Sequence, residues 1–367
     1  EEFGVDNKTV WLPDVFGYSA AMPQIMKKSG VENFVTSKIA WNETNRLPYD
    51  TFTWQGIDGS KVFTYFLTAV RRKKNYEGMY WRSTYTPRAI PAYVQGTWDR
   101  YEPKPLNHDL LMPFGHGDGG GGPTYEMMEN YERLKYGLPG FPKTKIETTG
   151  EFFDRQEENF RKTSKELKKE PKWVGELYLE AHRGTYTSLG KNKRNNRKSE
   201  LLYQQAETLA VTDMILLGGA YPEEIFRKNQ TKILLNQFHD IIPGSSIKEV
   251  YDITDIEYAE ILKDGCVIAD SMKNKIKSSL KTAGGVFVYN PTPFEITDYV
   301  KCDGNSYLAE NIPAHGWKIV SDTPVKNNIF VGSNVIENNL IKITFNEKYH
   351  LSSIFDKTEN REILTDE

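Results

Sequence analysis

The chain has 367 residues, room for two or three domains at about 100–200 residues each. Its 47 basic and 50 acidic residues leave a net charge of −3, which argues against a dedicated nucleic-acid binder. With 38% hydrophobic and 26% charged residues, and no run of about 18 apolar residues, it fits neither a disordered tail nor a helical membrane protein.

From residue 1 to about 165, short β-prone runs alternate with helical runs and Gly/Pro breaks. Strands are expected at Thr9–Leu12, Asn33–Ile39, Val62–Leu67, Leu110–Phe114 and Thr144–Thr149. Helices are expected at Ala20–Ser29, closed by Gly30, and at Thr124–Tyr136, closed by Gly137. That alternation predicts an α/β domain with a parallel sheet or barrel. A connector then leads into a helical region from about 199 to 282. There Leu202, Ala206, Leu209, Ala210 and Met214 repeat at helical spacing, and Gly218–Gly219 ends the run. Pro222 opens a second helix and Pro243–Gly244 breaks it. Ser246 with Glu249 reads as a capping box for a third. Three helices with short joints predict a small bundle. From about 285 onward the expected strands are Val286–Tyr289, Asp298–Cys302, Trp317–Val320, Ile329–Val331 and Leu340–Phe345. With no helices between them, they predict the start of an antiparallel β domain. The reading is therefore multidomain: α/β at 1–165, connector and three-helix bundle at 166–284, and the start of a β-sandwich at 285–367.

Several segments could carry chemistry. Asp14 follows a strand end in Pro13-Asp14, where an α/β barrel keeps its active-site groups, although it could equally cap the following turn. Asp118 sits in Gly115-His116-Gly117-Asp118-Gly119-Gly120-Gly121-Gly122, just past an apolar run. With no Lys-Ser/Thr pair after it, that loop is no Walker A phosphate cradle. Its glycines read better as room for a substrate to approach one carboxylate. His239-Asp240 ends an amphipathic helix, where a histidine either contacts the helix terminus or ligates a metal. Gly175–Thr187 alternates Glu, His, Arg and Tyr, as a polar pocket wall or an exposed connector. The basic run Lys191–Lys198 is either a phosphate site or a solvated face. Two loop carboxylates admit metal-assisted or paired-acid hydrolysis. Two cysteines, Cys266 and Cys302, read as reduced thiols of a cytoplasmic protein, in which the sequons at Asn7, Asn42 and Asn229 are chance matches. Glu1 and Glu367 both look like cut ends of a longer protein.

Together these segments resemble the family 38 α-mannosidases, and among them the bacterial, cytoplasmic type. The resemblance is carried by WLPDVFGYSAAMPQIMKKSG, KIAWNETNRLPYDTFTWQGIDGS, FGHGDGGGGPTYEM, ELYLEAHRGTYTS with NKRNNRKSE, and QFHDIIPGSS. VYNPTPFE and LSSIFDKTENREIL extend it into the tail. It implies an incomplete (β/α) barrel catalytic domain, a helical bundle and large β domains. It implies retaining hydrolysis of terminal α-mannosides of oligosaccharides with a zinc ion, Zn2+. By the same resemblance Asp14 is nucleophile and zinc ligand, His239 a zinc ligand and Asp118 the general acid/base. Trp54, Asp58, His182, Tyr186 and Asp240 lie around the sugar. Attack needs Asp14 as a carboxylate, departure of the leaving oxygen needs Asp118 protonated, and a retaining pair lies about 5–5.5 Å apart. The implied partner is a mannose-containing oligosaccharide, with no nucleic acid and no membrane; homo-oligomerisation is compatible with all of this. The family carries a His-x-Asp zinc motif before the PDVFGYS segment. No histidine here precedes His108, so weak metal binding is expected of this chain. A rival reading is a non-catalytic carbohydrate-binding relative; retention of both Asp14 and Asp118 favours the enzyme.

Overall fold

The computed structural model describes residues 3–72, 82–117, 120–280, 284–321, 323–325 and 328–364. They fall into two compact units, Glu1–Gly184 and Thr185–Glu367. Seven α-helices and several sheets make the described structure mixed α and β.

The first unit is built on one five-stranded sheet. Its strands are β1 (Thr9–Trp11), β2 (Asn33–Thr36), β3 (Thr51–Gln55), β4 (Lys61–Phe66) and β5 (Lys172–Val174), ordered β1-β2-β4-β3-β5. β1, β2 and β4 run parallel; β3 returns antiparallel to β4 through a tight turn, and β5 joins parallel to β3. The helices are α1 (Met22–Lys28), α2 (Pro91–Arg100), α3 (Tyr125–Leu134) and α4 (Thr149–Glu166). Period-two alternation sends successive side chains to opposite faces of the sheet. Phe34, Phe52, Trp54, Val62 and Phe66 pack with Met26 of α1 and with Tyr18, Leu177 and Leu179. Val35, Phe63, Tyr65 and Leu67 pack on the other side with Phe152, Phe153 and Phe160 of α4. At about 1.5–3 kcal/mol per fully buried large apolar side chain, these two layers are the main stabilisation of the unit.

Two expected strands are not strands. In Leu110–Phe114 the backbone N–H of Leu111 goes to the Tyr65 hydroxyl at 2.9 Å, and Pro113 has no N–H to give. In Thr144–Thr149 the N–H of Ile146 goes to the Tyr131 hydroxyl, and Thr148 with Glu151 forms a capping box that starts α4.

In the second unit α5 (Gly190–Leu217), α6 (Glu223–Asn236) and α7 (Lys248–Ser279) share one core of Tyr203, Leu209, Phe226, Tyr258, Ile261 and Ile268, among others. α5 begins nine residues before the predicted region, so the basic run lies in its first turns. Lys191 bonds Asp255, and Lys193 bonds the carbonyls of Ser188 and Ile242. The capping box expected at Ser246 does not form, because the Ser246 hydroxyl turns to the carbonyl of Asp240 at 2.6 Å. The rest is antiparallel: β6 (Val286–Tyr289) pairs with β9 (Trp317–Val320), and β7 (Ile296–Cys302) with β8 (Asn305–Ile312). A five-stranded meander follows through β10 (Phe330–Val331), β11 (Val335–Glu337), β12 (Ile341–Phe345), β13 (Leu351–Asp356) and β14 (Arg361–Glu362). No helix among the described residues is long and apolar enough to cross a membrane.

Candidate active site

β1 ends at Trp11 and the chain turns through Pro13 and Gly17 before α1, which leaves Asp14 at the carboxyl end of a parallel strand. Its side chain is 42% exposed, yet both oxygens are held. Lys38 Nζ lies 3.1 Å from Oδ1, and the Tyr85 hydroxyl donates to Oδ2 at 2.6 Å. Lys38 arrives from just past the carboxyl end of the neighbouring parallel strand β2, and its side chain is only 13% exposed. Its ammonium sits 3.7 Å from the centre of the Trp41 ring, with the Phe16 and Tyr85 rings at 5.9 and 5.5 Å. A cation boxed by ring faces is electrostatically favoured and sterically fixed. Trp41 is itself pinned by its indole N–H to the carbonyl of Ser83 at 2.8 Å.

The segment after Asp14 is tied to the Gly175–Thr187 run. Tyr18 and Leu177 exchange backbone hydrogen bonds at 2.9 and 3.1 Å. Glu180 accepts the backbone N–H groups of Asn45, Thr44 and Glu43, which hold its carboxyl below the ordinary glutamate range. Buried Asn42 bridges the same two segments through the carbonyl of Tyr178 and the N–H of Glu180. These ties bring His182 to the site: its ring centre is 4.6 Å from that of Phe16, and its backbone is left-handed, with φ 61.

Asp118 lies outside the described residues, but its neighbour Gly117 does not. A Cβ on Gly117 would fall 2.2 Å from Thr86 Cγ2 and 3.3 Å from Tyr85 Cε2, so any larger residue would have to displace Thr86. The residue next to Asp118 therefore packs against the tyrosine that holds Asp14. The one His-x-Asp triplet of the chain, His116-Gly117-Asp118, lies in this loop, downstream of Asp14.

Other expected residues lie elsewhere. Trp54 is 0% exposed, packed edge-on to Tyr18, with its N–H given to the carbonyl of Gly175 at 2.7 Å. It is a core ring, with no surface to offer a sugar. Asp58 sits in the β3–β4 turn and accepts from Ser60 N at 2.9 Å and Ser60 Oγ at 2.8 Å. That turn is at the amino-terminal end of β4, across the length of the sheet from Asp14, roughly 15 Å at about 3.3 Å per residue. Asp58 is a turn residue. Tyr186, His239 and Asp240 belong to the second unit, and all three are exposed. The His239 side chain is 78% exposed, with Nε2 3.5 Å from Asp240 Oδ2 and its ring against Phe238.

The described residues do not build a zinc centre. No group of three or more His, Cys, Asp or Glu among them is arranged to hold a metal. At Asp14 the cation position beside Oδ1 belongs to the Lys38 ammonium. What this constellation offers is a solvent-reachable carboxylate fixed in orientation, walled by aromatic rings. Lys38, Tyr85, Trp41 and Phe16 were not singled out from the sequence. The available signal was that Lys38 and Trp41 fall in the KIAWN segment at the next parallel strand end.

Comparison with known proteins places the same chain segments in a known context. Residues 1–176 match the glycosyl hydrolases family 38 N-terminal domain, and residues 180–276 match the alpha mannosidase middle domain. Alpha-mannosidase G of Dictyostelium discoideum is 30% identical over 426 residues, covering 99% of this chain and 37% of that protein. An alpha-mannosidase of Saccharomyces cerevisiae is 36% identical over 258 residues, covering 68% of this chain and 22% of that protein. The crystal structure of an alpha-mannosidase from Enterococcus faecalis V583 shares the fold, with a TM-score of 0.66 at 15% identity over 98% of this chain and 49% of that one. The chain spans about a third of the length of the Dictyostelium relative.

Proposed function

Because this chain belongs to glycosyl hydrolase family 38, we propose that the protein is a retaining α-mannosidase that hydrolyses terminal α-mannosides of oligosaccharides. The observation that carries the reading is the Tyr85 link: its hydroxyl holds Asp14, and its ring packs against the place where Gly117 leads into Asp118. That supports a site with both carboxylates at the carboxyl end of the parallel strands.

In this mechanism Asp14 attacks the anomeric carbon as the glycosidic C–O bond breaks, and Asp118 delivers its proton to the departing oxygen. Asp118, now a carboxylate, takes a proton from water, which attacks the same carbon and releases Asp14. Lys38 and Tyr85 keep the attacking oxygens from rotating away, and the rings of Phe16 and Trp41 offer apolar faces to a sugar. Zinc dependence rests on family membership alone, and a chelator assay of the full-length protein tests it. In the same reading residues 1–165, whose sheet β5 of the connector completes, are part of a (β/α) barrel, 166–284 hold that connector and a three-helix bundle, and 285–367 are the start of a β-sandwich. Cytoplasmic residence is supported by Cys266 and Cys302 being unpaired.

The test uses full-length protein and an activated aryl α-mannoside. Asp14→Ala should abolish turnover on every substrate. Asp118→Ala should show an initial burst and then slow turnover that azide rescues with retained configuration, since azide needs no general base. Uniform loss on all leaving groups without rescue would remove Asp118 from the acid/base role. Saturable mannoside binding with no turnover by the wild type would favour a carbohydrate-binding relative.

A further inference from the structure

At the opposite end of the sheet from Asp14, a cleft of about 560 Å³ opens between the starts of β2 and β4 and the last turns of α4. That size is ordinary for a small-molecule site. The α4 face that lines it follows helical spacing through Glu157, Phe160, Arg161, Ser164 and Lys165, and Lys168 lies just past the helix end. Phe160 anchors this face on Phe63, with ring centres 5.3 Å apart. Lys27 of α1 and Lys61 of β4 converge from other elements, and Lys169 closes the rim.

The charge is lopsided. Arg161 and Glu157 cancel in their own ion pair. Among the described residues none of the five lysines makes an ion pair, while two carboxylates, Glu32 and Glu170, share the lining. Glu170 also accepts the Thr53 hydroxyl at 2.6 Å. Lysines at helix ends commonly answer the helix dipole, and α1 and α4 both end here. Each dipole contributes only about half a negative charge. Five ammonium groups against two carboxylates and two helix ends leave about two positive charges unbalanced. This excess stands on a chain whose net charge is −3.

A second observation points to a ligand. Ser164 lines the cleft, is only 7% exposed, and its hydroxyl has no hydrogen-bond partner. Buried hydroxyls are nearly always bonded, so this one awaits an acceptor. We propose that the cleft binds a small phosphate-bearing anion, which neutralises the lysines and accepts the Ser164 hydroxyl. Phosphate fits better than a single carboxylate because it brings up to two charges and several acceptor oxygens to a group of point-charge donors. A cleft of this volume suits a diphosphate or a phosphorylated monosaccharide.

Isothermal titration of the full-length protein with pyrophosphate, and separately with mannose 6-phosphate, tests this. Saturable binding of either is expected, and the tighter of the two identifies a free diphosphate or a sugar phosphate as the source. Lys61→Glu and Lys165→Glu, on different elements, should each weaken that binding about tenfold. Both should leave turnover of an aryl mannoside in phosphate-free buffer unchanged. Failure of both probes to bind, or wild-type affinity in both charge-reversed variants, overturns the proposal.

Discussion

Asp14 has two partners of different kinds, and removing them should have different effects. Lys38 is locked over Trp41 and fixes Oδ1, while Tyr85 is hydrogen-bonded to Oδ2 and also backs the glycine loop. Lys38→Met keeps most of the apolar contact but frees the carboxylate to rotate. A misplacement of about 1 Å at a reacting atom costs about a hundredfold in rate. In the full-length protein kcat should therefore fall by that order, with little change in KM. Tyr85→Phe keeps the ring against Gly117 and removes one charge-assisted hydrogen bond, worth about 1.5–3 kcal/mol, so a fall of about tenfold or more is expected. Steady-state kinetics on an aryl mannoside checks both; an unchanged kcat in Lys38→Met would mean that Asp14 is held by something else. Asp14 was legible in the sequence because a strand end followed by Pro-Asp marks a position. Trp54 and Asp58 were misplaced for the same reason that they looked attractive. A tryptophan and an aspartate in one segment also satisfy ordinary structural needs, a core ring with its N–H paired and a carboxylate closing a turn.

At the scale of elements, local signals worked where backbone and side chain agreed and failed where a side chain captured the backbone. β1, β2 and β4 follow their apolar runs. Leu110–Phe114 is just as apolar, yet the Tyr65 hydroxyl takes the Leu111 N–H, a contact between residues 46 apart that no local window can see. β3 was missed although Thr51–Gln55 alternates threonine with aromatic rings, a β-prone pattern, because it is short and follows a turn-rich stretch. Its strand character comes from pairing with β4 on one side and β5 on the other. Helix pairing makes its own prediction. Glu260 of α7 is gripped by Lys228 and Lys232, one turn apart on α6, at 2.5 Å each. Their hydrogen bonds lower its pKa from 4.5 to about 2. The fold thus favours the ionised form. The resulting stabilisation is complete above the unfolded value and is lost as pH falls from about 4.5 towards 2. Glu260→Gln should melt below wild type at neutral pH, and the two melting temperatures should converge as pH falls through that window. Parallel curves down to pH 2 would show that the clamp contributes nothing.

At the scale of the whole chain, the sequence offers three Asn-x-Ser/Thr sequons, and the fold decides which of them a glycan could occupy. Asn7 is exposed. Asn42 is 1% exposed, and its amide nitrogen is bonded to the carbonyls of Asn45 and Tyr178. Asn229 is fully buried, with its amide on Asp264 at 3.0 Å, between α6 and α7. Glycans are added to a chain before it finishes folding, and a branched sugar cannot be accommodated at a side chain with no solvent-facing surface. Routed through a eukaryotic secretory pathway, the full-length protein should therefore be recovered poorly. The defect should come from the two buried sequons and not from Asn7. Thr44→Ala and Thr231→Ala remove those sequons without touching either asparagine. Both threonine side chains are exposed, and the Thr231 hydroxyl bonds only the Arg227 carbonyl of its own helix. The double variant should restore secretion and carry no glycan at Asn42 or Asn229, as read by mass spectrometry before and after deglycosylation. Equal yields of wild type and double variant, with glycans found on Asn42 or Asn229 of folded protein, would contradict the burial of these two residues and, with it, the packing of β2's following loop and of α6 against α7.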